Sequence, residues 1–316
     1  MNKYNGISFR DFENFDELIG ELRIWRNFDE HKYLEEKKKR INLFFKTQNL
    51  DSAVVGISGG IDSAVVYRLL EESAKEPNSP IKAIMPIIAP IECRGTSGQD
   101  KSTENAYKVL GDKTKDHVLC ELKNAFDGMV NQVKLNSNEL LKSDAWAEGQ
   151  MASVLRTPLF YYIAALLQTN GLKSIVVGTT NRDEGSYIGF FGKASDGMVD
   201  LQPIADIHKS EVYKIAKLLN ISKDIIEVAP RGDVWDGKND EQMIGAPNDV
   251  LEACLLLKDL KASPCSFGFK KTEEYEKFIN FINNIEELHK KNAHKYSVGC
   301  SSHFIDILKR KIEGGW

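Results

Sequence analysis

Residues 52–63 combine hydroxyl, glycine and carboxylate groups in a spacing suited to phosphate binding. An apolar, β-branched run comes first and a helical pattern begins at Asp62, which predicts a strand, a tight turn and a helix. Gly59 and Gly60 permit the turn, the serine hydroxyls can donate hydrogen bonds, and the amino terminus of a helix favours anions. Asp62 is an acid at this anion site, which is explained if it holds a Mg²⁺ ion that bridges phosphate oxygens.

Three known motifs can be compared with this segment. It lacks the lysine of a Walker A loop, and it does not match the dinucleotide motif G-x-G-x-x-G. Residues 56–60 do satisfy G-x-S-x-G, the nucleophile elbow of α/β-hydrolases, which also lies between a strand and a helix. A serine hydrolase with Ser58 as nucleophile is therefore an alternative. Its candidate bases are His208, His289, His294 and His303.

Strands and helices alternate along the first two thirds of the chain. The predicted strands are 53–57, 81–88, 117–120 and 173–177. This alternation predicts an α/β fold with a doubly wound parallel sheet, which binds ligands at the carboxyl ends of its strands. The loops that hold residues 58–63, 95–100 and 178–184 should therefore converge.

The pattern beyond residue 200 is helical, and nothing there indicates a second domain that could fold alone. Residues 1–27 are predicted to form an N-terminal arm, with a short helix or an extended chain, and residues 270–316 a helical C-terminal tail. A long apolar helix is predicted at 147–169, where Pro158 should kink it or divide it in two. We expect one domain over residues 1–316.

Composition limits the classes of function. With 316 residues, 42% hydrophobic and 28% charged, the chain suits a soluble protein. A net charge of −4 argues against a broad nucleic-acid-binding surface. Five widely spaced cysteines without a C-x-x-C pair predict a reducing, cytoplasmic location. The longest apolar run, near 159–167, is too short to span a membrane, and no signal peptide is visible.

A second group of motifs, taken with the first, points to a family. The loop at 58–63 is similar to the pyrophosphate loop of the N-type ATP pyrophosphatases. The further motifs are Gly178-Thr-Thr-Asn-Arg-Asp-Glu184, Gly189-Phe-Phe-Gly-Lys193, Asp196-Gly197, Asp200, Lys209-Ser-Glu-Val and Trp235-Asp-Gly-Lys-Asn-Asp-Glu241. Between roughly residues 30 and 300, the chain resembles the NAD synthetases.

The resemblance implies an adenine-nucleotide alpha-hydrolase-like fold and a ligase that forms a carbon–nitrogen bond. ATP would adenylate the nicotinate carboxylate of deamido-NAD with release of pyrophosphate, and ammonia would attack the acyl-adenylate to give NAD and AMP. The family also implies Mg²⁺ and a homodimer. Fewer than 60 residues precede Ser58, too few for the amidase domain of the glutamine-using members. Ammonia is therefore the expected nitrogen source, with a separate glutaminase as a possible partner.

The resemblance also assigns roles to individual residues. Asp62 and Glu184 would hold Mg²⁺, and together with Lys209 they would lower the barrier through positioning and charge. The residues implied in ATP binding are Gly56, Ile57, Ser58, Gly59, Gly60, Ile61, Asp62, Ser63, Arg156, Thr179, Lys209 and Arg231. The residues implied in deamido-NAD binding are Lys193, Asp200, His294 and Lys295.

Two positions depart from the family pattern. Val154 stands where the family has an arginine, and Arg231 stands where it has a phosphate-binding threonine. Arg156 can fill either of the two arginine positions, and an arginine can bind phosphate through two parallel hydrogen bonds.

Two more alternatives stay open: the same chemistry on a different carboxylate, and a nucleotide-binding module without activity. The binding module is disfavoured by the presence of Asp62, Glu184 and Lys209, because a protein that only binds a nucleotide needs no metal-held pyrophosphate.

Overall fold

The computed structural model describes residues 2–4, 7–9, 11–94, 98–136, 141, 144–227, 240–295 and 303–304. Arg231, most of the motif at 235–241 and most of the predicted turn at 95–98 lie outside these residues, as does the side chain of His303.

The described strands form a two-stranded antiparallel ribbon and a six-stranded parallel sheet. The strands are β1 (Asn2–Tyr4), β2 (Ile7–Phe9), β3 (Ser52–Gly56), β4 (Ala83–Ile88), β5 (Val118–Leu119), β6 (Ser174–Val177), β7 (Leu201–Gln202) and β8 (His303–Phe304). The sheet order is β5-β4-β3-β6-β7-β8, and all its pairs are parallel. The predicted parallel α/β sheet is confirmed. Since the order reverses between β3 and β6, a ligand crevice is expected beyond their carboxyl ends.

The helices alternate with the strands up to β7 and dominate the later part of the chain. They are α1 (Phe15–Arg26), α2 (Glu30–Thr47), α3 (Ile61–Lys75), α4 (Gln99–Leu110), α5 (Lys123–Asn136), α6 (Ala145–Thr169), α7 (Arg182–Gly185), α8 (Lys209–Leu218), α9 (Lys223–Ile226), α10 (Asp240–Ile244), α11 (Asn248–Leu260), α12 (Pro264–Phe267) and α13 (Glu273–Asn292). Short 3₁₀ helices occupy Gly111–Asp116 and Ala293–Lys295.

Helices cover both faces of the sheet. Ala53 and Val55 of β3 belong to a buried apolar cluster with residues of α2, α3 and α8. Val54, which points the opposite way because side chains alternate along a strand, belongs to a second cluster with residues of α5 and α6. The central strand is therefore buried on both faces, as the continuous apolar run in its sequence indicates.

The long helix α6 is not divided at Pro158. Asp144 caps its amino terminus by accepting a hydrogen bond from the Ala147 amide, and the helix runs for 25 residues from Ala145. An interior proline removes one backbone hydrogen bond and crowds the preceding turn, and the packing of α6 on β3 and β6 offsets that cost. None of the described helices, α6 included, combines the length and apolar character needed to cross a membrane.

The N-terminal helix α1 packs on the C-terminal helices. Leu18, Ile19 and Leu22 are buried in a third cluster, whose other members come mainly from α11 and α13. Arg23 of α1 also contacts Glu252 of α11 at 2.6 Å. The predicted N-terminal arm thus contains a helix that packs in the core. One domain over residues 1–316 stays a prediction.

Candidate active site

The loop between β3 and α3 is held in one shape by its own two serines. The Ser58 amide donates to Ser63 Oγ (3.2 Å), and Ser63 Oγ donates to the Gly60 carbonyl (3.0 Å). The Gly60 amide donates to Ser58 Oγ (3.3 Å). Within the described part of the chain no side chain caps the amino terminus of α3, so the amides of its first turn can serve an anion.

Gly59 is required by both backbone conformation and space. Its φ is 81°, and a Cβ atom there would lie 2.3 Å from the Ser102 carbonyl oxygen of α4. The close approach of α4 to this turn explains why the loop has a glycine at that position.

Gly59→Ala is expected to lower both the free energy of unfolding and ATP affinity, because the turn must move away from α4. Gly171→Ala is the matched control, since Gly171 has a φ of 84° but nothing within 4 Å of its added Cβ. The control should lower the free energy of unfolding by about 1–2 kcal/mol through the left-handed conformation alone. Gly59→Ala should lower it further. Urea unfolding and ATP titration measure the difference. An equal loss of unfolding free energy in Gly59→Ala and Gly171→Ala would contradict the proposed steric contact.

Two carboxylates from different elements meet at one lysine. Lys209, the first residue of α8, donates from Nζ to Asp62 Oδ2 at 2.5 Å and to Glu184 Oε1 at 3.3 Å. Asp62 lies in the first turn of α3, and Glu184 lies in α7 just after β6. The structure therefore brings the three predicted catalytic residues together at the switch point of the sheet.

A buried amide links the helices that carry the two carboxylates. Asn181 precedes α7 and caps it, because its Oδ1 accepts from the Glu184 amide at 3.1 Å. Its Nδ2 donates to Asp62 Oδ1, also at 3.1 Å. Sequence reasoning gave Asn181 no role, although an asparagine between a strand and a helix is a typical N-cap signal.

Asp183 fixes the amino terminus of α8. Its Oδ2 accepts from the Lys209 backbone amide and its Oδ1 from His208 Nδ1, each at 2.6 Å. Both Asp183 and His208 are fully buried. The Asp183 carboxylate thus holds the backbone of Lys209, whose side chain contacts Asp62 and Glu184. Sequence reasoning did not find this link.

Asp62 and Glu184 have the chemistry to hold a magnesium ion. Their oxygens lie within 3.3 Å of one Lys209 nitrogen, and both side chains are partly exposed. No group of three metal-binding side chains occurs among the described residues. Mg²⁺ is commonly bound through one or two carboxylates together with substrate phosphates and water, and Asp62 and Glu184 offer two such carboxylates.

The serine-hydrolase alternative finds no base among the described histidine side chains, and the side chain of the fourth candidate, His303, lies outside them. Ser58 Oγ lies 3.1 Å from Ser63 Oγ. His208 pairs with Asp183, while His289 and His294 bond the carbonyls of residues 187 and 291. Among the described side chains, no histidine is hydrogen-bonded to Ser58, so the nucleophile reading has no support in the geometry.

Two predicted ATP ligands lie around the crevice in different settings. Thr179 is the second residue after β6 and is half-buried. Arg156 of α6 donates from Nε to the Ala89 carbonyl (3.0 Å) and from Nη2 to Gln99 Oε1 (3.4 Å). Arg156 thereby connects α6 with the segment after β4.

The residues predicted to bind the dinucleotide have different surroundings in the structure. Lys193 and His294 are exposed. Asp200 accepts from the Val176 amide (2.7 Å) and from the Tyr161 hydroxyl (3.2 Å). Lys295 instead contacts backbone carbonyls of the glycine–phenylalanine motif, and burial lowers the pKa of its ammonium below the usual value.

Tyr213 lies one turn after Lys209 on α8. Burial raises the pKa of its phenol above the ordinary value, and the Asp62 carboxylate adds to the increase while Lys209 opposes it. The Tyr213 ring is thus a neutral, half-buried neighbour of the charged cluster, and sequence reasoning had not selected it.

A glycine–serine loop and a lysine-bridged carboxylate pair at the switch point define an α/β protein of the adenine-nucleotide alpha-hydrolase-like class. Residues 33–299 match the family described as NAD synthase. The chain is 32% identical to the NH(3)-dependent NAD(+) synthetase of Thermoplasma volcanium, over 83% of this chain and 94% of that protein. The chain therefore belongs to the NAD synthase family, as predicted.

Solved structures agree with this fold. The NMN synthetase from Francisella tularensis has a TM-score of 0.66 and 21% identity, covering 88% of this chain and all of that one. The NH3-dependent NAD synthetase from Campylobacter jejuni has a TM-score of 0.61 and 22% identity, covering 86% of this chain and 97% of that one.

Proposed function

We propose that this chain joins ammonia to deamido-NAD in an ATP-dependent reaction that gives NAD, AMP and pyrophosphate. The observation that carries the proposal is the contact of Asp62, Glu184 and Lys209 beside the glycine–serine loop, in a chain of the NAD synthase family. A carboxylate oxygen of the acid attacks the α-phosphorus of ATP, the pyrophosphate leaves, and ammonia then displaces AMP from the acyl-adenylate.

In this proposal the chain contributes positioning and charge. Residues Gly56 to Ser63 surround the leaving pyrophosphate, whose negative charge Lys209 reduces. Mg²⁺ held by Asp62 and Glu184 would offset the charge of the phosphate oxygens when it is bound. Thr179, Arg156 and Arg231 complete the proposed ATP contacts.

The acid substrate is proposed to extend from this cluster toward Lys193, Asp200, His294 and Lys295. Lys193 and His294 are exposed to solvent, with His294 Nδ1 bonded to the Lys291 carbonyl of its own turn, whereas Asp200 and Lys295 bond backbone groups of other segments. We therefore expect Lys193 and His294 to make direct contacts, with Asp200 and Lys295 shaping the surrounding backbone.

The test is product analysis by mass spectrometry. With ATP, Mg²⁺, ammonium and deamido-NAD, the purified protein should form NAD and AMP in equal amounts. Glutamine should replace ammonium poorly unless a separate glutaminase is added. Nicotinate mononucleotide and other carboxylic acids serve as competing substrates. If one of them is amidated while deamido-NAD is not, the same chemistry on a different carboxylate replaces this proposal.

A homodimer in the cytoplasm is also proposed, with α6 at the interface. Pro158, Tyr162 and Leu166 follow a helical spacing on an exposed face, with Tyr162 and Leu166 62% and 43% exposed. Leu155 and Leu159 beside them pack partly on the core. The four cysteines that the structure describes are free thiols, which suits a reducing compartment.

The double variant Tyr162→Glu with Leu166→Glu is expected to be a monomer, because burying two carboxylates in an apolar interface is costly. Light scattering after size-exclusion chromatography measures the mass. Leu43→Glu, at an exposed leucine on α2, is the control and should leave the dimer intact. A wild-type monomer, or a dimer in the double variant, would contradict the proposed interface.

A further inference from the structure

Side chains at the end of α13 bind consecutive backbone carbonyls of one loop. His289 Nδ1 donates to the Tyr187 carbonyl and Asn292 Nδ2 donates to the Ile188 carbonyl, each at 2.8 Å. The two residues are three apart, so they lie on the same face of the helix. A helix that satisfies neighbouring carbonyls in this way fixes the path of the loop backbone.

Lys295 continues this pattern beyond the helix. Its Nζ donates to the Gly189 carbonyl (2.8 Å) and to the Phe191 carbonyl (2.7 Å), and it lies 5.6 Å from the centre of the Phe191 ring. We call His289, Asn292 and Lys295 the C-terminal contact set. Together they bind four of the five carbonyls of residues 187–191.

Ring stacking and polar contacts support the hydrogen bond between His289 and the Tyr187 carbonyl. The rings of Tyr187 and His289 are stacked, with centroids 3.9 Å apart and planes 7° apart. The Tyr187 hydroxyl donates to Glu286 at 2.7 Å, and Glu286 in turn pairs with Lys258 of α11. Tyr187 of this loop is therefore held both through its side chain and through its backbone carbonyl.

The same loop is bonded to the active site. The Phe190 amide donates to the Glu184 carbonyl at 3.0 Å, and Lys193 follows two residues after Phe191. Ile188 is buried in the cluster formed with α11 and α13. The position of residues 187–191 therefore affects a proposed substrate contact, while the hydrogen bond to Glu184 involves its backbone carbonyl and not the carboxylate proposed to hold Mg²⁺.

We propose that the C-terminal contact set consists of positioning residues for the acid-substrate half of the site, which act by fixing the backbone of residues 187–191. This inference rests on the proposed function for its substrate, but not for the backbone contact itself. It gives α13 a part in the reaction although its side chains lie outside the Asp62, Glu184 and Lys209 cluster.

The experiment compares His289→Ala with Asn292→Ala in the full chain, singly and combined. Hydrogen exchange of residues 187–193 is followed by mass spectrometry without substrate. Steady-state kinetics give KM for deamido-NAD, KM for ATP and kcat. Lys290→Ala is the matched control, because Lys290 is an exposed neighbour on the same helix. His289→Asn is the conservative variant, since its amide can donate from nearly the position of Nδ1.

Each alanine variant should speed exchange at 187–193 and raise KM for deamido-NAD by roughly 2- to 12-fold, the effect of one lost hydrogen bond. KM for ATP should stay within about twofold, since the loop at 58–63 is not in this contact network. His289→Asn should recover most of the loss. If the double variant does not fold, the single variants give the same comparison.

Unchanged exchange at 187–193 would overturn the inference, as would faster exchange with an unchanged KM for the acid. A parallel rise in both KM values would also overturn it, because that result indicates general loosening. If wild-type protein does not amidate deamido-NAD, the proposed function fails separately, and exchange together with KM for the acid that is accepted still decides the inference.

Discussion

Asp62→Asn is expected to lower kcat by about 10²- to 10³-fold, the size of effect seen when one preorganised electrostatic contact is lost. Asp62 accepts from Lys209 Nζ through one oxygen and from Asn181 Nδ2 through the other. An amide of the same shape has only one accepting oxygen, so its NH₂ must face one of these donors. The variant also loses the negative charge that would attract Mg²⁺.

Pyrophosphate release at increasing Mg²⁺ concentration measures this effect. Activity of Asp62→Asn should be partly recovered at high Mg²⁺, because a weakened metal site can still be filled. The control is Glu72→Gln, which removes a carboxylate from the same helix at a partly exposed pair with Lys75 and should be neutral. Wild-type activity in Asp62→Asn would exclude Asp62 from the mechanism.

The sheet and its phosphate loop could be predicted because their signals are local. The run at 52–57 is apolar and β-branched, and a glycine turn and a helical pattern follow it directly. The strands β7 and β8 have two residues each and were missed, whereas the equally short β5 was predicted because it continues the alternation of strands and helices. Their pairing depends on partners far along the chain, and it extends the sheet beside β6.

The contacts within the site could be predicted only in part. The motif pointed to Asp62, Glu184 and Lys209 individually, and the parallel sheet explains why they meet. The link from Asn181 to Asp62 spans 119 residues, and no pattern within either segment reveals it.

Long side chains were hardest to place from the sequence. Arg156 and Lys295 each have several rotatable bonds, and in the structure their charged groups bind backbone carbonyls. Residue type predicts that such a group needs acceptors, but not which acceptors lie within reach. Their proposed contacts with ATP and the dinucleotide stay predictions.

The second large effect is expected at Asp183, which does not contact the proposed substrates. Its carboxylate is 1% exposed and His208 is fully buried. Since the backbone amide of Lys209 can only donate, and His208 Nδ1 donates when a carboxylate faces it, both oxygens of Asp183 are used as acceptors. Removing the carboxylate would leave two buried donors without partners.

Asp183→Ala is expected to lower the free energy of unfolding by about 1–3 kcal/mol for each unpaired donor. It should also reduce kcat by more than the folded fraction explains, because the amino terminus of α8 shifts and moves Lys209 from Asp62 and Glu184. Asp259→Asn is the control: Asp259 pairs with Arg182, one residue before Asp183, at a partly exposed site where such pairs contribute about 0–1 kcal/mol. Urea unfolding gives stability, and kcat is measured well below the unfolding midpoint of each variant. A loss of stability with full kcat would show that Asp183 supports the fold without positioning Lys209.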